Sequence, residues 1–241
     1  MEEEKIAIIG GTGDLGLGLA LRWAHAGVRV IIGSRDERKA AEAAVQARSI
    51  LAAHTQNESE HFPIRGLENT QAAEEASIAV LTVPFSAHVQ TLKAIRGCLK
   101  DAILVDATVP LAAAVGGKST RMLSLWQGSA AAEAREIVPA ATPVLAAFHS
   151  ISGGLLQDLS AKPDCDILIC GDDETAKRRF SPLVNLIPGL RPIDAGPLEM
   201  SRIVESMTAL LISVNRRYRV RHSGIRITGV EHHTGAHVPT S

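Results

Sequence analysis

Paired cysteines are missing from this chain. Only Cys98, Cys165 and Cys170 carry a thiol among its 241 residues, an odd number with no C-x-x-C spacing. A disulfide framework is thereby excluded, and the three read as reduced, mostly buried thiols. Neither sign of charge is in excess: 25 Lys and Arg face 26 Asp and Glu, and no long run of Lys or Arg occurs. General attraction to nucleic acid or anionic membrane needs a clustered basic face, so neither is expected as a partner. No apolar run approaches the roughly 20 residues of a membrane helix. The acidic start Met1-Glu2-Glu3-Glu4-Lys5 lacks the basic and apolar regions of a signal peptide. The cytoplasm is the expected compartment. No internal repeat or low-complexity tract is visible, and no Ser–His–Asp arrangement or acid pair can be argued from spacing.

What is present is ordinary globular material, 46% apolar and 21% charged. That is enough to close a sizeable core without a staple. Lys5–Ile9 is a short apolar run ended by glycine, as a buried parallel strand should be. A helix follows from Asp14 to Ala26, with Leu15, Leu19, Ala20 and Trp23 at helical spacing and Gly27 as its stop. Val28–Ile32 is a second strand, and a helix runs from Asp36 to about Ala53. Ile78–Val83 and Ile103–Val105 are further strands, with helix over Phe85–Ile95 between them. Strands alternating with helices predict an α/β chain, a Rossmann-type doubly wound parallel sheet, over residues 1–147. The remainder has one strand at Asp166–Cys170, a helix over Asp173–Asn185 and a long helix over Leu198–Val220. Residues 148–230 are therefore expected to form a small C-terminal α+β or helical domain, its long helix walling a cleft between the two. The long helix carries Ile203, Met207, Leu210, Leu211 and Val214 on one side, which suggests a homodimer. Residues 231–241 are polar and expected to be a disordered tail. His232, His233 and His237 fall in it, so no metal site is expected.

Gly11-Thr12-Gly13-Asp14-Leu15-Gly16 sits directly after a strand and opens a helix, the context a dinucleotide fingerprint requires. Gly11 allows the tight turn, Gly13 the approach of a pyrophosphate, and Gly16 close packing of helix on strand. The free N–H groups and positive end of the helix would then face the phosphates. The second strand selects the cofactor. An NAD site places Asp or Glu at its end to accept from the ribose hydroxyl. Here the strand ends Gly33-Ser34-Arg35, with Lys39 one turn further on. A hydroxyl and two cations suit the 2′-phosphate of NADP(H) instead. Asp36 starts a helix and can point away. Thr82-Val83-Pro84-Phe85 and Val109-Pro110 end two later strands, at the carboxyl edge where they can wall the nicotinamide.

Together with these pieces, five more segments carry a resemblance: Ala79-Val80-Leu81, His149-Ser150-Ile151, Cys170-Gly171-Asp172-Asp173, Gly189 through Leu198, and Ser201 through Ser206. With them the chain resembles, from about residue 5 to 215, the F420-dependent NADP reductases. Those enzymes exchange a hydride between NADP(H) and the deazaflavin coenzyme F420. The resemblance implies that Thr12, Gly13, Asp14 and Leu15 hold the pyrophosphate, and Ser34, Arg35 and Lys39 the 2′-phosphate. It puts Val83, Val109 and Gly153 at the nicotinamide end, and His149, Ile151 and Leu198 on the deazaflavin side. His149 would orient that ring or relay a proton. Direct transfer needs the two rings stacked within roughly 3–3.5 Å, so the protein supplies mainly orientation and dryness. Asp14 replaces the expected Asn, and Phe85 the expected Trp. The segment Arg216 to Arg226 is far more basic than the family pattern, and offers a surface to the acidic tail of F420 or to a partner. Two other functions fit the same nucleotide site. One is an imine or carbonyl reductase related to pyrroline-5-carboxylate reductase, which usually has a larger helical domain. The other is an NADPH-sensing protein without catalysis.

Overall fold

The computed structural model describes residues 4–56 and 62–230. The expected tail and its three histidines lie outside the described residues. The first half of the chain runs β1 (Lys5–Ile9), α1 (Asp14–His25), β2 (Arg29–Ser34), α2 (Glu37–Thr55), β3 (Ile64–Glu68), α3 (Asn69–Glu75) and β4 (Ile78–Leu81). It continues through α4 (His88–Ile95), β5 (Ile103–Asp106), α5 (Ala130–Ile137), β6 (Val144–Ala146) and α6 (Gly153–Gln157). The last elements are β7 (Cys165–Gly171), α7 (Glu174–Asn185), β8 (Leu190–Asp194) and α8 (Ser201–Tyr218).

The strands pair in the order β3-β2-β1-β4-β5-β6-β7-β8. Every neighbouring pair is parallel except β6 and β7. Successive side chains of a strand point to opposite faces. Ile6 and Ile8 accordingly join one core with Val30, Ile32, Val80 and Val105. Ala7 and Ile9 join the other with Ile31, Ala79, Leu81 and Leu104. Helices cover both faces, which is why the strands read as unbroken apolar runs rather than alternating ones.

Beyond residue 147 the chain does not leave this sheet. β7 and β8 extend it, so the expected boundary between residues 147 and 148 falls inside a continuous sheet. The cores are joined as well. Trp23 of α1 is fully buried, donates from Nε1 to the carbonyl of Leu183 at 2.8 Å, and meets Phe148 edge-on at 5.7 Å. Phe148 in turn meets Phe180 of α7 edge-on at 5.9 Å. Arg22, also buried, donates to the carbonyls of Leu155, Leu156, Asp158 and Ala161, capping the end of α6 and pinning it to α1. α8 is sparsely covered: Ile203 and Leu210 of its apolar stripe are exposed. The three thiols are free, with Cys165 and Cys170 buried and pushed up by burial to about 11 and about 12. Such thiols are inert at neutral pH.

Candidate dinucleotide-binding site

A cavity of about 820 Å³ opens at the carboxyl ends of β1, β2, β4 and β5. The strand order runs outward in opposite directions from β1 and β4, so this is the switch point of the sheet. The crossovers part there and leave a crevice. The turn after β1 forms its first wall. A Cβ on Gly16 would lie 2.6 Å from Gly11 Cα and 2.7 Å from Thr82 Oγ1, so α1 can start against the strands only with glycine there. Gly13 is the opposite case: its Cβ would meet nothing nearer than 4.0 Å, because that side is the cavity. No side chain caps α1. Its first-turn N–H groups are left for an anion, and the arrangement fits a pyrophosphate. Thr12, Gly13, Asp14 and Leu15 line the space, while Gly11 and Gly16 shape the turn beneath it.

At the end of β2, Ser34, Arg35 and Lys39 line the same cavity. The Ser34 hydroxyl accepts from the Asp36 N–H at 3.2 Å, which leaves its proton to donate outward. The Asp36 carboxylate is held by its own helix, accepting from the N–H groups of Arg38 (3.0 Å) and Lys39 (3.4 Å). Asp36 also lines the cavity, and the cap holds its charge at the start of α2 beside the two cations. The other end is walled by Thr82, Val83, Pro84 and Phe85 after β4, and by Ala107, Thr108 and Val109 after β5. Val83 and Val109 thus line the same end of the cavity.

Three residues assigned to the deazaflavin side, and Gly153 assigned to the nicotinamide end, do not line this cavity. Leu198 is buried in the core, its N–H donating to Asp172 Oδ1 at 2.9 Å. Ile151 is half-buried against the other core. His149 is buried with neither ring nitrogen bonded, and burial pushes the imidazole down to about 4. Gly153 lies behind the phosphate turn, where a Cβ would come within 2.6 Å of the Asp14 carbonyl carbon and the Leu15 nitrogen. Gly153→Ala must therefore part α6 from α1. Overpacking of this kind costs about 1–3 kcal/mol. Calorimetric melting should show the lower Tm, and titration with NADP+ a weaker Kd.

Several site residues gave no sequence signal. Buried Asn69 lines the cavity and accepts at Oδ1 from the Gly10 N–H at 3.3 Å, steadying the turn. At the head of a helix it reads as an ordinary cap. Behind the shelf, His88 is fully buried, with Nε2 2.7 Å from Asp106 Oδ2 and Nδ1 2.9 Å from Glu133 Oε2. Asp106 Oδ1 also accepts from the Thr108 N–H at 2.8 Å. Burial opposes charge on His88, but the two carboxylates outweigh it and raise the imidazole. Glu205 of α8 caps α5 by accepting from the Ala130 (2.9 Å) and Ala131 (3.1 Å) N–H groups. Burial pushes that carboxyl up to about 8, against the pull of both amides.

Fold and site together define an NADP(H)-dependent oxidoreductase of the Rossmann class. The model of the family described as NADP oxidoreductase coenzyme F420-dependent matches residues 5–110. The F420-dependent NADP reductase of Methanothermobacter marburgensis is 46% identical over 227 residues, 94% of this chain and 99% of that protein. The chain belongs to the F420-dependent NADP reductases. Among solved structures, a chain from Arthrobacter sp. FB24 superposes with a TM-score of 0.77 at 21% identity, covering 93% of this chain and 99% of that one. Pyrroline carboxylate reductase from Plasmodium falciparum gives 0.52 at 13% identity, covering 91% of this chain and 70% of that one. At such identities both likenesses speak for the fold.

Proposed function

We propose that this chain passes a hydride between NADP(H) and coenzyme F420, with the nucleotide laid along the cavity from Arg35 to Val109. The carrying observation is that one cavity joins the uncapped start of α1, the Ser34, Arg35 and Lys39 cluster, and an apolar shelf. Thr12, Gly13, Asp14 and Leu15 hold the pyrophosphate by backbone N–H groups. Ser34, Arg35 and Lys39 grip the 2′-phosphate. When bound, the nicotinamide gives or takes the hydride, and the deazaflavin is its counterpart. The protein's own part is to hold the rings and exclude water, which Val83, Pro84, Phe85 and Val109 do from the shelf.

His149, Ile151 and Leu198 are assigned to the deazaflavin side. A ring depressed to about 4 is neutral at working pH, so His149 acts as an orienting donor or acceptor rather than a proton relay. Neither nitrogen has a well-aligned partner, with only the Asp106 backbone close by, which supports this reading because buried polar atoms are seldom left without one. The basic segment after α8 is assigned to the acidic tail of F420. It returns to the start of α6, where His222 Nδ1 lies 2.8 Å from Ser152 Oγ, one residue before Gly153. Residues 148–230 are read as the flank that closes this side. The exposed stripe of α8, with Ile203 and Leu210, is read as a contact between two copies. Among the described residues no helix is long and apolar enough to cross a membrane.

The direct assay mixes the protein with NADPH and F420 and follows the deazaflavin absorbance. Bleaching is expected. Binding of NADPH without bleaching would make the chain a sensor, and turnover with a cyclic imine alone would make it an imine reductase. In the same assay His149→Ala should raise the KM for F420 by roughly tenfold, the scale of one lost buried hydrogen bond, and leave that for NADPH alone.

A further inference from the structure

We infer that His88 is a positioning residue of the nicotinamide shelf: clamped between Asp106 and Glu133, it sets both the Phe85 ring and the loop through Thr108. This rests on the nucleotide reading above, but it concerns residues that no motif marks and that touch the ligand space only through others.

Two walls of the shelf come from neighbouring strand ends, and the backbone ties them at their root, where the Ala107 N–H donates to the Leu81 carbonyl at 3.0 Å. Phe85, after β4, lies face to face with the His88 ring at 5.8 Å and 27° between planes. Thr108, after β5, is fixed by its N–H to Asp106 Oδ1. His88 joins the two, because Asp106 uses its other oxygen on His88 Nε2. Glu133 holds the opposite nitrogen from α5, so the imidazole has no freedom to tilt. An imidazole between two carboxylates can satisfy both only as the cation, with both ring nitrogens donating. A neutral ring must leave one carboxylate facing a lone pair, and the clamp opens on that side.

The surroundings favour the cation. Asp106 reaches His88 from β5 and Glu133 from α5, while Glu205 of α8, pushed up to about 8, is uncharged at neutral pH and interacts with His88 only as it ionises. His149 lies near enough to sense Asp106, but stays neutral. α3, which also packs on α4, turns its acids elsewhere: Glu74 pairs with Lys100 and Glu75 with Arg65. Among the described residues no second cation competes for Asp106. With a raised imidazole, the clamp is intact below the ordinary histidine value of 6.5 and opens as pH climbs through the raised one.

Comparing two ligands tests this. NADP+ spans the cavity, whereas adenosine 2′,5′-bisphosphate carries the adenine and 2′-phosphate but no nicotinamide. Isothermal titration gives the ratio of their affinities, from which the shared 2′-phosphate cancels. The bisphosphate's own 5′-phosphate, which titrates at about pH 6, does so alike in wild type and variant, so the difference between their profiles is the readout. In the wild-type protein the preference for NADP+ should decline as pH rises from 6 to 9. His88→Gln should lower that preference about tenfold at pH 6, the order of one charge-assisted contact, and flatten the profile. Adenosine bisphosphate should bind as before. Glu133→Gln, at the half-exposed end of the clamp, removes one carboxylate and should move the decline to lower pH. It also serves if His88→Gln does not fold. An unaltered ratio in both variants overturns the proposal, as does an equal loss for both ligands. A wild-type protein that binds neither ligand removes the nucleotide reading itself and the proposal with it.

Discussion

Replacing Arg35 by alanine raises the KM for NADPH sharply and leaves that for NADH almost where it was. The guanidinium lines the cavity at the end of β2 and makes no ion pair with Asp36, whose carboxylate is spent on the α2 cap. It is free to fork onto a phosphate monoester, and NADH has none to offer. A lost charge-assisted contact is worth about 1.5–3 kcal/mol, or roughly 10- to 150-fold in KM. The residue is exposed, so water competes for both partners and the lower half of that range applies. Lys39→Ala should give a smaller rise of the same selectivity, because an ammonium a turn away contributes charge without the fork. Steady-state kinetics with both nucleotides checks the result. Equal losses with NADPH and NADH would place the guanidinium elsewhere than on the 2′-phosphate.

The largest effect on stability is expected at Asp166, far from any motif. Its carboxylate is fully buried and accepts from Arg191 Nε (2.8 Å) and Nη2 (2.7 Å), Arg226 Nη1 (2.7 Å) and the Ile227 N–H (2.6 Å). One side chain thereby ties β7 to β8 and to the segment that follows α8. Burial raises a carboxyl, but these donors prevail and hold Asp166 down to about 2. Asp166→Ala leaves two guanidinium groups without their shared anion. Breaking a buried pair costs about 3–5 kcal/mol, and the partial exposure of Arg226 puts the expected loss at the low end. Denaturant unfolding at pH 7 measures it. The folded carboxyl titrates below its ordinary value of 3.8. Its contribution is therefore complete above that value and fades as pH falls toward 2, so wild type and variant should converge in acid.

How much of this was legible in the chain itself depended on contiguity. β1, α1, β2 and α2 could be read to within a few residues, because both faces of β1 and β2 are buried and caps such as Asp36 act on the next turn. The two edge strands were not read. β8 contains Pro192, which demotes an apolar run, and tolerates it only as the last strand of the sheet. β3 holds Gly66 because a Cβ there would strike the Ala40 backbone at 2.1 Å, a packing demand that looks from outside like a turn. The long helix was read three residues too early and two too late, a tighter helix over Leu198–Met200 preceding it.

The amino-acid sequence alone picked out the glycine turn after β1, the Ser34, Arg35 and Lys39 cluster after β2, and Val83 and Val109, which the structure brings to one cavity. Each depends on neighbours a few positions away, whose geometry is set by local backbone rules. Tertiary structure alone decided that residues past 147 continue the same sheet, that His149 is buried and unbonded, and that His88, Asp106 and Glu133 meet behind the shelf. Those partners lie 18 and 45 residues from His88, and Asp166 meets Arg226 across 60. No periodicity or motif links residues so far apart; only the packing of the sheet and its helices brings them within reach of one another.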